Sequence, residues 1–150
     1  MALDQSFVGR SYPPTPPYEV GREKIREFAD AVGDANPAYT DPEAAKALGY
    51  DDVIAPPTFA FAITYRAAGE AVRDPQLGLD YSRVVHGAQR FAYTRPVRAG
   101  DRLSVVSTIE SIKSMAGSDV LDIRGEVRDE SGDHVVTAWT KLVARGAEEA

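Results

Sequence analysis

The chain has 150 residues, of which 43% are hydrophobic and 27% are charged. This ordinary globular composition fits one domain and excludes a disordered, collagen-like or low-complexity chain. There is no cysteine, which excludes disulfides, thiolate metal sites and a cysteine nucleophile.

Charge and hydropathy narrow the classes of partner. The formal net charge is −6, and an acidic chain repels phosphate backbones, so we expect no nucleic-acid partner. No apolar run approaches the roughly 18 residues of a membrane span, and the first residues lack signal-peptide features, so we expect a cytoplasmic protein without a membrane partner. The two histidines, His86 and His134, are far apart in sequence, so we expect no metal and no other cofactor.

The domain organisation is simple. No internal repeat or linker interrupts the sequence, so we expect a single domain over residues 1–150. Residues 1–20 are predicted to form an extended, proline-rich lead-in, and residues 145–150 a frayed tail. The segment Tyr12–Tyr18 contains PxxP spacing twice, which is typical either of a polyproline ligand or of an extended segment packed along the domain surface. We favour the second interpretation.

The first predicted helix covers residues 21–32 and ends at Gly33, a residue typical of the position after a helix. It is amphipathic, because its apolar residues recur at helical spacing. These residues are Ile25, Phe28, Ala29 and Val32.

Two further helices are predicted before the strands begin. Asp41 and Pro42 form an N-cap and a first helical position, which predicts a short helix over residues 42–48. The stretch 59–72 is apolar nearly all round in its first half, and such a helix is buried.

Four long strands are predicted to follow one another as a meander over residues 82–93, 102–113, 118–128 and 134–143. Turns are predicted at residues 95–101, 114–117 and 129–133, the last of which leaves His134 exposed. We therefore expect an α+β fold in which a long antiparallel sheet wraps around the central buried helix.

Three sequence blocks resemble one family. They are Gly33-Asp34-Ala-Asn36-Pro37-Ala-Tyr39-Thr-Asp41, Ile54-Ala-Pro-Pro-Thr-Phe59 and His86-Gly-Ala-Gln-Arg-Phe-Ala-Tyr-Thr-Arg-Pro-Val-Arg-Ala-Gly-Asp101. In this order they resemble the MaoC-like hydratase/dehydratase group with the hot-dog fold, in particular the N-terminal MaoC-like (FAS-I-type) dehydratase domain. That group includes actinobacterial subunits of (3R)-hydroxyacyl-thioester dehydratases.

The resemblance implies a catalytic motif, and this sequence departs from that motif at one position. Active members use an Asp and a His in the pattern Gly-Asp-x-Asn-Pro-x-His to orient a water and transfer protons. Asp34 and Asn36 match this pattern, but Tyr39 stands in the His position. Tyr has an ordinary pKa of about 10, against about 6.5 for His, so it is a poor proton acceptor at neutral pH. Pro57 also lacks the backbone N–H that would polarise a thioester carbonyl at the start of the central helix, although Thr58 and Phe59 still carry one.

The expected function is that of a partner-dependent subunit of a dehydratase or enoyl hydratase assembly. Such a subunit binds an acyl thioester of coenzyme A or acyl-carrier protein, and it pairs with a catalytic MaoC-like subunit. We expect a homodimer when the chain is isolated, with a heterodimer as the alternative. The residues of the degenerate catalytic site are Asp34, Tyr39 and His86. The predicted substrate-binding residues are Asn36, Thr58, Phe59, Phe61 and Tyr65.

Other functions stay open at the level of sequence. An independent hydratase would use Asp34 with His86 as its acid/base. A thioesterase would need a carboxylate on the central helix, where only Glu70, near its far end, is available. A protein that binds an acyl ligand without chemistry would use the same groove. Four arginines near one turn form a solvated face or receive carrier phosphates; they are Arg90, Arg95, Arg98 and Arg102.

Overall fold

A five-stranded antiparallel sheet curls around one long helix in the computed structural model, which describes residues 3–146. The strand order is β1-β3-β4-β5-β2. The strands are β1 (Tyr18–Glu19), β2 (Val84–Tyr93), β3 (Arg102–Met115), β4 (Ser118–Arg128) and β5 (His134–Arg145). The α+β hot-dog architecture expected from the sequence is confirmed.

The prediction of a four-strand meander is wrong at its first strand. Strands β3, β4 and β5 do follow one another as antiparallel neighbours. Strand β2, however, pairs with β5, with Phe91 opposite Ala138. The chain therefore crosses the sheet between β2, which lies at one edge, and β3, which lies beside β1 on the other side. This crossing leaves β2 at an edge of the sheet, paired on one side only in the described part of the chain.

Helix α3 (Ala60–Val72) lies on the concave face of the sheet. Ile63 and Ala67 are buried against strand residues such as Val105 and Val127. The helix approaches β4 closely at Gly125, where the Cβ of any larger residue would lie 3.3 Å from a Val105 methyl and 3.6 Å from Thr64. Burial of this helical face stabilises the fold through the hydrophobic effect.

Helix α3 is not buried all round, contrary to the sequence prediction. Tyr65 is 49% exposed, and Arg66 is also exposed. Phe61 and Ala62 are half-buried. The open side of α3 faces the edge strand β2. This side stays uncovered because, in the described residues, no further strand lies beyond β2. This open side is the region that matters for function.

Helix α1 (Arg22–Val32) and helix α2 (Pro42–Ala47) pack outside the sheet. Helix α1 ends at Gly33, whose φ of 72° is the left-handed conformation that favours glycine. Ile25 and Ala29 are buried as predicted, but Val32 is 50% exposed, because the apolar stripe reaches solvent at the last turn. The side chain of Asp41 accepts a hydrogen bond from the N–H of Glu43 and caps α2.

The N-terminal segment runs along β3. It begins with a 3-10 turn at Gln5–Phe7, which the sequence did not predict. Beyond it, the N–H of Tyr12 donates to the carbonyl of Ser107, and the N–H of Thr15 donates to that of Val105. Prolines cannot continue such a ladder, so only β1 makes regular strand pairing in this segment.

Several boundaries differ from the sequence prediction. A 3-10 turn occupies Tyr81–Arg83, so β2 begins at Val84 rather than Ser82. Strand β3 extends to Met115, and a two-residue turn at Ala116–Gly117 joins it to β4, with φ values of 48° and 76°. Arg145 is the last residue of β5, and residues 147–150 of the predicted tail lie outside the described residues.

Candidate functional site

A groove runs between the open side of α3 and the concave face of β2. Pro57, Phe61 and Tyr65 are four residues apart and follow one side of the helix and the segment that leads into it. Each of them contacts a residue on or beside β2. Tyr93 contacts Pro57, His86 contacts Phe61, and Tyr81 contacts Tyr65.

A β-bulge determines which β2 side chains face the groove. The register of β2 against β5 shifts between His86 and Ala88. In a regular strand, two residues lie on the same face only if they are an even number of positions apart. His86 and Gln89 are an odd number of positions apart, yet they pair with Leu142 and Thr140 of β5, which both line the groove. The bulge supplies the extra residue that turns His86 into the groove.

The end of the groove near the start of α3 holds Tyr39 and Tyr93. Both line a cavity of about 270 Å³ together with Pro57 and Ile54. The hydroxyl of Tyr93 donates to the carbonyl oxygen of Pro57 over 2.5 Å. Burial of this hydroxyl raises the pKa of Tyr93 to about 12, although the backbone N–H of Ala60 acts in the opposite direction. The Tyr93 hydroxyl therefore lies at the N-terminal end of α3, the positive end of the helix dipole.

The loop after α1 carries Asp34, Asn36 and Tyr39. Asp34 and Asn36 are exposed, whereas Tyr39 is buried. The side-chain oxygen of Asn36 accepts from the N–H of Ala38 over 3.0 Å, which caps the 3-10 turn Pro37–Tyr39. Burial, followed by the charge of the Asp34 carboxylate and a hydrogen bond to it, raises the pKa of Tyr39. The structure thus brings Asp34 and Tyr39 together, in the relation that the family motif implies for Asp and His.

Two other predicted site residues lie just before α3. Thr58 is exposed at the turn that leads into the helix. Phe59 is completely buried, and its ring packs edge-on against Phe28 with centroids 5.3 Å apart. Phe59 therefore anchors the start of α3 in the core of this chain, and its predicted substrate contact stays a prediction.

The other end of the groove holds the remaining predicted residues. The Phe61 ring lies 5.5 Å from that of His86 and 5.4 Å from that of Tyr65, measured between centroids. The hydroxyls of Tyr65 and Tyr81 are 3.0 Å apart. A cavity of about 650 Å³ opens beside them. Its lining comprises Tyr65, Arg66, Ala68, Gly69, Val72, Arg73, Tyr81, Val84, His86, Thr140 and Leu142.

His86 is placed away from the Asp34–Tyr39 pair. It lines the larger cavity, whereas Tyr39 lines the smaller one. A ring nitrogen of His86 lies 3.1 Å from the side-chain oxygen of Gln89, which also accepts a hydrogen bond from Thr140. No hydrogen bond or ion pair joins His86 to Asp34 within residues 3–146.

Sequence reasoning missed Tyr93, Tyr81 and Gln89 as groove residues. Tyr93 and Gln89 lie within the His86–Asp101 block that carries the resemblance, but the β-bulge determines which of the block's side chains point towards the groove. Tyr81 lies in a turn where no periodic signal exists. Only the contact of these residues with α3 or with His86 reveals their position.

The exposure predicted for His134 is wrong. His134 is half-buried, and its two ring nitrogens lie 2.6 Å from the Thr94 hydroxyl and 2.7 Å from the Thr137 hydroxyl. Strand β5 begins at His134 itself, so the residue belongs to the sheet and not to the preceding turn.

The four arginines near one turn do not form a common anion site. Arg95 makes ion pairs with Asp101 and Asp129. The Arg90 guanidinium stacks over the Trp139 ring at 3.7 Å. The other two, Arg98 and Arg102, lie within 4 Å of carboxylates of Asp51 and Glu130. These partners favour the interpretation as a structural and solvated face.

Comparison with known proteins decides the family. Residues 6–138 match the family model described as "FAS1-like, dehydratase domain region". The chain belongs to this family. In agreement, the solved structure of a MaoC-like dehydratase superposes with a TM-score of 0.87 at 34% identity, over 95% of this chain and 43% of that longer chain. The family is that of the hot-dog hydratases and dehydratases.

Two other family relatives match over their full length. A UPF0336 protein of Streptomyces avermitilis is 84% identical over 99% of each chain. A chain in the crystal structure of the C-terminally truncated HadBC (3R-hydroxyacyl-ACP dehydratase) complex of Mycobacterium tuberculosis superposes with a TM-score of 0.83 at 34% identity. That match covers 96% of this chain and 100% of the other.

Neither a membrane span nor a metal cluster is found where the chain is described. No helix within residues 3–146 is long and apolar enough to cross a membrane. In the same residues, no three His, Asp or Glu side chains come together as metal ligands would.

Proposed function

We propose that this chain is the substrate-binding subunit of a (3R)-hydroxyacyl-thioester dehydratase or enoyl hydratase assembly, and that a partner subunit supplies the acid/base. The observation that carries the proposal is Tyr39. It stands in the His position of the family motif, is buried, and has a raised pKa beside Asp34.

The chemistry of hydration explains why Tyr39 matters. Adding water to an enoyl thioester requires a group that accepts a proton near neutral pH and returns it to carbon. Burial and the Asp34 carboxylate raise the pKa of Tyr39 above its ordinary value of 10.0. At neutral pH the residue therefore stays a hydrogen-bond donor and does not act as a base.

The start of α3 supports the same proposal. A thioester carbonyl is polarised by free N–H groups at a helix N-terminus. Pro57 has no N–H to offer, and the Tyr93 hydroxyl lies against the Pro57 carbonyl and the Ala60 N–H. The N–H of Phe59 is bonded to the Pro56 carbonyl, which leaves that of Thr58 as the alternative donor in this chain. We assign the carbonyl-polarising role to the partner, because Pro57 and the Tyr93 hydroxyl occupy this end of the helix.

The groove supports an acyl thioester as the ligand. It combines apolar walls with hydroxyl groups at both ends, the Tyr39–Tyr93 end and the Tyr65–Tyr81 end. Ligand sites are typically concave and mostly apolar, with a few polar groups that fix orientation. We assign the thioester to the Tyr39 end, because the motif loop and the start of α3 meet there.

The edge strand β2 supports pairing with a second hot-dog subunit. An unpaired edge strand offers free N–H and C=O groups to another chain. Tyr65, Tyr81 and Val85 are exposed beside this edge, and pairing along β2 would cover them. The HadBC dehydratase is a complex of two subunits, which favours a heterodimer for this chain, with a homodimer formed when the partner is absent.

The hydration of a trans-2-enoyl-CoA tests the proposal, followed through the loss of enoyl absorbance. We expect the rate with the wild type alone to stay at the uncatalysed background. The Tyr39→His variant is expected to exceed that background by about a hundredfold or more, the usual contribution of one acid/base group. Tyr39→Phe is the matched control and should stay inactive.

Three outcomes would count against the proposal. Robust turnover by the wild type would replace it with an independent hydratase, and loss of that turnover in His86→Ala would identify the proton carrier. Hydrolysis of the acyl-CoA would indicate a thioesterase. Failure of a co-expressed hot-dog subunit with an intact motif to co-purify with this chain would remove the partner from the proposal.

A further inference from the structure

The proline-rich N-terminal segment is anchored to the sheet at every third residue. The N–H groups of Tyr12 and Thr15 donate to backbone carbonyls of β3 over 2.9 and 3.0 Å. Tyr18, three residues further on, is the first residue of β1 and pairs with β3. The anchors therefore recur with the period of a polyproline II helix, which has three residues per turn.

The side chains of the three anchors also face the domain. The Tyr12 hydroxyl donates to the Asp74 carboxylate over 2.9 Å, and the Thr15 hydroxyl accepts from the N–H of Val105 over 3.0 Å. Tyr18 packs against the core between the sheet and α3. All three anchors are half-buried, so this side of the segment is fully used by contacts within the chain.

The prolines lie on the other side of the segment. From Tyr12 to Thr15 the segment advances three residues, while its hydrogen-bond partners on β3 advance two, from Ser107 to Val105. The residues between two anchors therefore stand off the sheet edge. Four prolines occupy these positions, all are exposed, and together they form the proline ridge: Pro13, Pro14, Pro16 and Pro17.

The chemistry of proline keeps the backbone of the ridge extended. A proline ring fixes its own φ at about −65°, and a residue that precedes a proline is confined to extended conformations. Four of the six residues from 12 to 17 themselves precede a proline. The ridge is thus ordered both by its anchors and by its composition. A segment that is already ordered loses little conformational entropy when a partner binds it.

We propose that the proline ridge docks a partner protein through an aromatic-lined groove of the kind that binds polyproline II segments. Such grooves, found in SH3, WW and EVH1 domains, accept prolines with PxxP spacing. The ridge offers this spacing twice, from Pro13 to Pro16 and from Pro14 to Pro17. Thr15, between the two proline pairs, is turned towards β3. A groove can therefore contact both pairs without breaking an anchor.

The ridge is separate from the edge proposed for subunit pairing. It runs along β3 next to β1, whereas β2 forms the opposite edge of the sheet. A protein docked on the ridge would therefore leave the β2 edge accessible to a second hot-dog subunit. The inference does not rest on the proposed function, and its failure would leave that function untouched.

The experiment titrates the full chain into three isotopically labelled domains, one SH3, one WW and one EVH1 domain, and follows their groove resonances by NMR. We expect at least one domain to bind through its aromatic groove. The double variant Pro14→Ala, Pro17→Ala should weaken this binding by about tenfold or more, because a few buried contacts dominate such interfaces. Pro42→Ala, at the start of α2, is the matched control for loss of a proline outside the ridge.

Two results would overturn the inference. Binding that survives in the double variant would place the contact elsewhere on the chain. Binding by none of the three domains would leave the prolines with a purely protective role at the sheet edge, where residues without an N–H keep another strand from pairing. In that case the double variant should self-associate more than the wild type in sedimentation velocity. If the double variant does not fold, Pro14→Ala and Pro17→Ala are measured singly, and each should weaken binding several-fold.

Discussion

The hydroxyl of Tyr93 donates a hydrogen bond to the carbonyl oxygen of Pro57, 2.5 Å away, and ties the edge strand β2 to the segment that leads into α3. The two residues are 36 positions apart in sequence. The contact holds the thioester end of the proposed groove in place.

Removing this hydrogen bond should destabilise the fold modestly. We expect Tyr93→Phe to lower the free energy of unfolding by about 1 kcal/mol, because the Pro57 carbonyl loses its donor. Urea unfolding checks the value. Tyr81→Phe is the matched control, since Tyr81 is the more exposed of the two, at 60% against 37%, and its hydroxyl meets only the hydroxyl of Tyr65. If Tyr93→Phe lowers the free energy of unfolding no more than the control does, the Tyr93–Pro57 hydrogen bond does not stabilise the contact between β2 and the start of α3.

The raised pKa of Tyr93 predicts a loss of stability at alkaline pH. Its pKa is 10.0 ordinarily and about 12 in the folded chain. The unfolded chain therefore ionises first, so the contribution of Tyr93 is fully present below pH 10.0 and is lost as the pH rises towards 12. Unfolding measured at several alkaline pH values should show a shallower decline in Tyr93→Phe than in the wild type. Equal declines of stability with pH in the two proteins would contradict this prediction.

Two glycines should respond oppositely to alanine. Gly69 lies within α3, where its Cβ would meet only the mobile end of Arg73, so Gly69→Ala should stabilise the chain by roughly 0.5–1 kcal/mol. Gly33 has a φ of 72°, so Gly33→Ala should cost about 1–2 kcal/mol. Thermal and urea unfolding of the two variants check the signs. Destabilisation by Gly69→Ala would mean that Arg73 has a structural role.

The buried carboxylate of Asp101 should contribute strongly to stability. It is 7% exposed and accepts hydrogen bonds from both terminal nitrogens of Arg95, at 2.9 and 3.0 Å, and from the N–H of Arg98. Asp101→Ala leaves the half-buried Arg95 guanidinium with one carboxylate, that of Asp129, and the Pro96 carbonyl, which should cost about 3 kcal/mol.

The control for Asp101→Ala is an exposed ion pair. Glu23 contacts Arg26 at 2.7 Å on the surface of α1, and Glu23→Ala should cost much less stability than Asp101→Ala, because solvent screens an exposed ion pair. Urea unfolding of both variants makes the comparison. Similar costs at the two sites would show that burial adds nothing to the Arg95–Asp101 pair.

The edge strand β2 should mediate association. Val85 is 43% exposed on this edge. A lysine there resists edge pairing, so Val85→Lys should convert the dimer that we propose for the isolated chain to a monomer while it stays soluble. Sedimentation velocity measures the shift. Thr108→Lys, on the part of β3 that the N-terminal segment covers, is the control for the added charge. A dimer that survives Val85→Lys would place the interface elsewhere.

The sequence alone determined the local features of this protein. The stop of α1 at Gly33, the cap of α2 at Asp41 and the full extent of β4 follow from residue preferences within a few positions. The motif loop was also readable, including Tyr39 in the His position, because a motif is defined by residues adjacent in the chain. Local preferences act over one turn or one pleat, so they suffice for such features.

The construction of the groove depends on tertiary contacts. The partner of β2 is β5 and not β3, and strand periodicity is the same for either pairing. The bulge at His86/Ala88 reverses which side chains face α3, and it exists only in register with β5. For the same reason, the separation of His86 from Asp34 could not be read from spacing. It depends on contacts between residues far apart in the chain.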